Sequence, residues 1–269
     1  MLVLVFLLFP VILAIAGATA AGLPLVNVAR AETLMEIKIG LIGCGGRGTG
    51  GCTFCDEAGS RAPSASHPGD FPLLRGQVAA AVKAVRNRHP SAGLILYFQA
   101  FSCTNAPASQ LARIYEEGLS AGDFLGLSVA TRPDCMDGER ARVLSALAGR
   151  GWDVWVELGL QSSHDSTLER IHRGHTAADF LRAHAALRSA NVKVAVHVIL
   201  GLPGESAADM ATTAQFIAAM DPDGVKIHNL HIPRGSPLYR EYLSGEVTAP
   251  GPERHLEYVI SMLELLPPR

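Results

Sequence analysis

Three cysteines, Cys44, Cys52 and Cys55, fall within twelve residues of the stretch KIGLIGCGGRGTGGCTFC, which runs from Lys38 to Cys55. Cys52 and Cys55 form C-x2-C, a spacing that lets two thiolates from one turn reach neighbouring irons. Cys44 can fold back as a third ligand across a loop that carries Gly45, Gly46, Gly48, Gly50 and Gly51. Three thiolates leave one iron of a 4Fe-4S cluster open to a further ligand. Zinc competes for the same sulfurs but takes four ligands, and no second C-x2-C or H-x3-H completes that set. A different chemistry overlaps the same stretch. Gly43, Gly45 and Gly48 spell GxGxxG after a short apolar run, as in a dinucleotide loop of an NAD-dependent oxidoreductase. Such a loop needs a helix directly after its last glycine and an acidic residue at the end of the next strand. Here Gly59, Pro63, Pro68 and Pro72 interrupt any helix, and Asp70 lies in a Pro/Gly-rich segment. The cysteine chemistry has the stronger context, with the NAD reading as an alternative.

The elements that would position these groups follow from hydrophobic periodicity. Short β-type runs occur at IKIGLI before the cysteines and at Leu94–Gln99, Phe124–Ala130, Val154–Gln161, Val192–Gly201 and Gly224–Leu230. Helical faces lie between them: Val78, Ala81, Val82 and Val85 keep i, i+3, i+4, i+7 spacing, and so do Met210, Thr213, Ala214 and Ile217 after a Ser206/Asp209 capping box. Six strands in a βαβα series predict a parallel sheet with helices outside. Polar residues recur at period two inside the strands, with Glu157, Gly159 and Gln161 on one face and Lys226 and His228 on another, as a barrel lumen tolerates. In a β/α barrel the strand C-termini form the active face. That rim would gather the cysteine loop, Gln99, Thr131 to Asp134, Gln161, Gly201 to Glu205, and His228 to Arg234.

The segments GGCTFCDEAGS, LYFQAF, GLSVATRPDC, VWVELGLQSSHDSTLERIHRGH, VAVHVILGLPGES and GVKIHNLHIPRGSPL together resemble the YhcC-like family of radical S-adenosylmethionine (radical SAM) enzymes, relatives of the radical domain of the Elongator catalytic subunit. The resemblance runs from about Gly50 to Pro268. It implies an α/β fold, a partial (β/α)6 TIM-type barrel, and a 4Fe-4S cluster on Cys44, Cys52 and Cys55 with S-adenosylmethionine on the open iron. Reductive cleavage there would generate methionine and a 5′-deoxyadenosyl radical that takes hydrogen from a substrate. The resemblance assigns Glu157 and Gln161 to the amino or ribose groups of S-adenosylmethionine, with an internal barrel network as the other role open to them. Gly201, Gly204 and Glu205 of LGLPGE stand as a backbone approach to the cofactor or as an ordinary turn. Gln99 occupies the position of a segment that meets the cofactor's amino group, and His228 joins His231, Lys226 and Arg234 in a polar cluster for cofactor or substrate. An electron donor such as flavodoxin or ferredoxin is the expected partner, and RNA modification follows by analogy only. A barrel without a competent cluster is the non-catalytic alternative.

Cys103 and Cys135 each follow a strand and are expected to be packed or rim thiols, while His164, His172 and His175 are expected at the surface or in loops. The formal net charge of −2 provides no basic field for non-specific binding of nucleic acid or anionic lipid. Five cysteines, an odd number with three crowded together, do not describe a secreted disulfide framework and fit a reducing, cytosolic setting. Residues 1–35 read as an apolar leader ahead of a barrel over 36–269. No charged side chain occurs between Met1 and Ala29, and an Ala18-Thr19-Ala20 pattern resembles a cleavage site without a basic flank. A signal, a membrane anchor and a buried or accessory extension all fit that leader. An anchor would tether the barrel on the cytoplasmic side.

Overall fold

Alternation of apolar and polar side chains along the strands shows how this sequence builds two chemically distinct faces. The structure, a computed structural model, describes residues 2–5, 34–39, 51–55, 72–99 and 101–267. Within them a seven-stranded, all-parallel sheet has the order β1-β7-β6-β5-β4-β3-β2, with β1 at Leu2–Val5, β2 at Leu34–Ile39, β3 at Gly93–Phe98, β4 at Gly126–Thr131, β5 at Asp153–Gln161, β6 at Lys193–Leu200 and β7 at Gly224–Asn229. From β2 to β7 each strand pairs with the next in sequence, the partial (β/α)6 barrel expected from the βαβα series.

On one face, Leu94, Leu96, Phe98, Leu127, Val129, Val156, Leu158, Val196, Val198, Val225 and Ile227 are all buried in the main core. They pack against α1 (Pro72–Arg88), α2 (Ala108–Leu119), α3 (Gly138–Ala148), α5 (Ala177–Ser189), α6 (Ala207–Met220) and α8 (Pro252–Leu265), through residues such as Val78, Ile114, Leu144, Phe180, Ile217 and Val259. Each such large apolar side chain contributes about 1.5–3 kcal/mol by leaving water. The intervening positions Tyr97, Glu157, Gly159, His197 and Lys226 face the other way, into the lumen. Register places Gly159 beside His197 and His197 beside Lys226.

The helix starts agree with their sequence signals. Ser206 and Asp209 form the expected reciprocal capping box on α6, and Thr176 with Asp179 forms a second on α5. Two expectations shift. The first barrel strand begins at Leu34, so a boundary at residue 36 falls inside it. Leu2–Val5 of the leader forms a strand paired with β7, Leu2 opposite Gly224 and Val5 opposite Ile227. Most of the leader, residues 6–33, lies outside the described residues. Among the described residues no helix is long and apolar enough to cross a membrane.

Candidate active site

The cysteine turn is held by backbone hydrogen bonds from two distant segments. Cys55 N–H donates to Cys52 O at 3.1 Å, closing the turn, while Thr53 N–H donates to Ile171 O at 3.0 Å and Leu238 N–H to Thr53 O at 2.8 Å. Phe54 packs on a second apolar cluster of Leu168, Ile171, Leu202, Leu230, Leu238 and Val247, which anchors the turn to the rim. α4 (Asp165–Arg170) and α7 (Leu238–Ser244) supply its two ends.

Cys52 is buried and Cys55 exposed, and neither is in a disulfide. Two guanidinium groups converge on the Cys52 sulfur: Arg173 Nη1 donates to Sγ at 3.5 Å and Arg132 Nη1 at 3.8 Å. A hydrogen bond from Cys55, opposed by burial and reinforced by Arg173 and then Arg132, lowers the Cys52 thiol from its ordinary range to about 5. That shift favours the thiolate, the form that ligates metal.

Arg173 is set in turn by the end of β5. Its Nη2 donates to Gly159 O at 3.0 Å, and its Nε to His175 Nε2 at 3.0 Å. A Cβ on Gly159 would press into Arg173 Nη2 and lie 2.7 Å from Gln161 Nε2, so only glycine leaves both side chains their places. His175 lies in a loop, as expected, and is buried there against this arginine. Burial first, then the Arg173 charge, lowers its pKa to about 4, so the ring is neutral and can accept from Nε. Nothing in the spacing of IHRGH distinguished His175 from His172, which is exposed.

Deeper in the lumen Glu157 Oε2 gathers three polar side chains and accepts hydrogen bonds from two of them, Lys226 and Tyr97. Lys226 Nζ lies 2.8 Å away, His197 Nε2 2.8 Å away, and the Tyr97 hydroxyl makes a short hydrogen bond to the same oxygen. Burial pushes the Glu157 carboxyl up, but His197 and the Lys226 ammonium outweigh it and hold the carboxyl well below its ordinary range. Tyr97 is pushed up by burial and by Glu157. Glu157 thus sits in a buried network with Tyr97, His197 and Lys226. Tyr97 and His197 escaped the sequence reading, although each interrupts an apolar strand at the lumen phase, a signal that period-two counting could have caught.

The remaining expected residues spread along the rim. Gln99 follows β3 two positions after Tyr97 and is half-buried. Gln161 ends β5 at a register shift, half-buried, with φ +72. Gly201 (φ +82) closes β6 against Pro250, and Gly204 (φ +88) has open space where a side chain would stand. These two glycines and Glu205 line a cleft of about 770 Å³ with Thr167, Arg170 and Tyr258. His228 is half-buried, its ring 5.1 Å from that of His197. Cys103 and Cys135 are packed thiols, as expected, and burial pushes Cys103 far up, out of reach as a ligand form. Cys44, Gly43, Gly45 and Gly48 lie outside the described residues. Among the described residues no group of three His, Cys, Asp or Glu side chains converges on a metal position.

A parallel half-barrel with a C-x2-C turn at its C-terminal rim defines a class, and the sequence comparison agrees with it. The chain belongs to the radical SAM superfamily: the superfamily model matches residues 42–217, running through the Gly43–Gly48 segment, and the Radical SAM C-terminal domain matches residues 222–269. Its relatives include YhcC of Escherichia coli, 36% identical over 200 residues (74% of this chain, 62% of YhcC). MJ0486 of Methanocaldococcus jannaschii is 35% identical over 236 residues (87% of this chain, 72% of that protein). The fold is similar to that of Methanocaldococcus infernus Elp3, with TM-score 0.68 and 19% identity over 88% of this chain and 55% of that one. The chain thus spans about two thirds of the length of these curated relatives. Members of the superfamily bind a 4Fe-4S cluster and S-adenosylmethionine, and the site suits both. Two thiols of one turn meet at the rim, one of them beside fixed cations.

Proposed function

We propose that this chain cleaves S-adenosylmethionine reductively, with Cys52, Cys55 and Cys44 holding a 4Fe-4S cluster. The observation that carries the reading is the Cys52–Cys55 turn, pinned to the rim with Arg173 and Arg132 both donating to the Cys52 sulfur. Bound together, the cluster and S-adenosylmethionine supply an electron transfer that splits the sulfonium into methionine and a 5′-deoxyadenosyl radical. The chain's own residues do the rest. Arg173, its donors taken by His175, Cys52 and Gly159, holds fixed positive charge beside the Cys52 ligand. Gln161, at the end of β5, and Gln99, across the rim, offer amide donors and acceptors for the polar groups of S-adenosylmethionine. The clamped Glu157 gives the lumen a fixed anionic oxygen.

The substrate is a separate matter. RNA modification rests on the family resemblance, and the net charge of −2 gives it no electrostatic support. The reductant belongs to the low-potential flavodoxin or ferredoxin class. Anaerobic reconstitution followed by incubation with S-adenosylmethionine and dithionite tests the activity. The expected result is cluster absorbance and release of 5′-deoxyadenosine in the intact chain. Absence of both would leave a non-catalytic barrel.

A further inference from the structure

We propose that Arg132 raises the reduction potential of the cluster that Cys52 ligates, acting as a fixed buried cation that donates to the Cys52 sulfur. The inference rests on the reading of Cys52 as a cluster ligand. Arg132 leaves the C-terminal end of β4 and caps the single 3-10 turn Pro133–Cys135. Its Nε donates to Asp134 Oδ1 at 2.8 Å and its Nη2 to Oδ2 at 2.9 Å, a two-point clamp that fixes the guanidinium plane. The remaining nitrogen, Nη1, is thereby aimed at Cys52 Sγ, 3.8 Å away.

The slot for this side chain is built by a second glycine. Gly174 has φ +73, and a Cβ there would lie 2.7 Å from Arg132 Nη2. Gly174 follows Arg173, so one dipeptide supplies the second cation on Cys52 and the space for the first. The partner anion does not cancel the effect at the sulfur. Asp134 is 31% exposed and screened by water, whereas the Arg132 side chain is 5% exposed and its Nη1 is the edge nearest Sγ.

Adding an electron makes a cluster more negative, so a nearby cation and an N–H···S hydrogen bond favour the reduced form. Asp134 occupies the other two donor edges of Arg132, leaving it as a positioning and tuning group without reach for a ligand's carboxylate. Its effect therefore exists without S-adenosylmethionine.

The test is an EPR-monitored redox titration of the reconstituted full chain without S-adenosylmethionine, alongside Arg132→Met and Arg132→Lys with iron content measured in each. We expect Arg132→Met to keep its iron while reduction becomes about tenfold less favourable, which is about 59 mV more negative for a one-electron couple. Arg132→Lys, which keeps the charge, should retain most of the wild-type potential. Should Met at this position prevent cluster uptake, Arg132→Gln, which keeps a donor and loses the charge, is read in the same way. An unchanged potential in an iron-replete Met or Gln variant overturns the proposal. So does loss of iron in every variant, Lys included, with no shift in whatever cluster forms, because that pattern marks a structural role. A wild-type chain that takes up no cluster overturns the ligand reading itself and this proposal with it.

Discussion

Glu157 and Lys226 meet at 2.8 Å across the intervening strand β6, both side chains almost wholly removed from water. Such a pair is costly to break singly, because the surviving charge stays buried without its partner. Lys226→Met should therefore lower stability by about 3–5 kcal/mol in urea denaturation. The double variant with Glu157→Gln should recover a large part of that loss. Additive effects would mean that the two groups are not coupled in the folded chain.

His175 gives stability a dependence on mild acid. Its folded pKa of about 4 lies below its ordinary value near 6.5, so between those two values the unfolded chain takes a proton that the folded chain refuses. Stability is complete above about pH 6.5 and falls as pH drops toward 4, by on the order of 2–3 kcal/mol. His175→Gln should flatten this part of the profile. Below about pH 5 a second loss sets in as acid competes for Glu157, whose depressed carboxyl stabilises the fold only while it is ionised. Thermal melts across pH 4–7 that show the same slope in wild type and His175→Gln would refute the first assignment.

Cysteine replacement separates ligand thiols from packed ones. Cys52→Ala and Cys55→Ala should each abolish 5′-deoxyadenosine formation and sharply reduce bound iron, as should Cys44→Ala if it is the third ligand. Cys103→Ala, inside the core, should keep its iron and lose only about 1 kcal/mol of stability. Full iron in the Cys52 variant would rule out its role.

Two glycines of the rim should respond differently to a methyl group. At Gly159 the new Cβ collides with Arg173 and Gln161. Gly159→Ala should cost about 1–3 kcal/mol and weaken S-adenosylmethionine binding in equilibrium dialysis. At Gly204, where the space is open and only the backbone angle is strained, the cost should be about 1–2 kcal/mol. Equal binding by wild type and Gly159→Ala would show that the Arg173–Gln161 arrangement does not bear on the ligand.

Much of the architecture could be read directly from periodicity. Apolar residues at alternate positions marked the five strands from β3 to β7, and the Ser206/Asp209 pair marked the start of α6, because these signals are local and repeat along the chain. The apolar run IKIGLI starts three residues after the first barrel strand does, and it continues into glycines that blur the end of the strand. The strand at Leu2–Val5 was not expected at all, since hydropathy alone does not tell a strand from a leader.

By itself the sequence determined the parallel α/β order, the lumen phase of Glu157 and Lys226, and the C-x2-C pair with its iron chemistry. Tertiary structure decided which cations reach Cys52, since Arg132 and Arg173 stand 80 and 121 residues away from it. It also decided that one buried carboxylate oxygen gathers Tyr97, His197 and Lys226. Local patterns report which way a side chain points from its own strand or helix. Contacts across the barrel depend on strand register, curvature and the room left by Gly159 and Gly174, and these exist only once the sheet has closed around them.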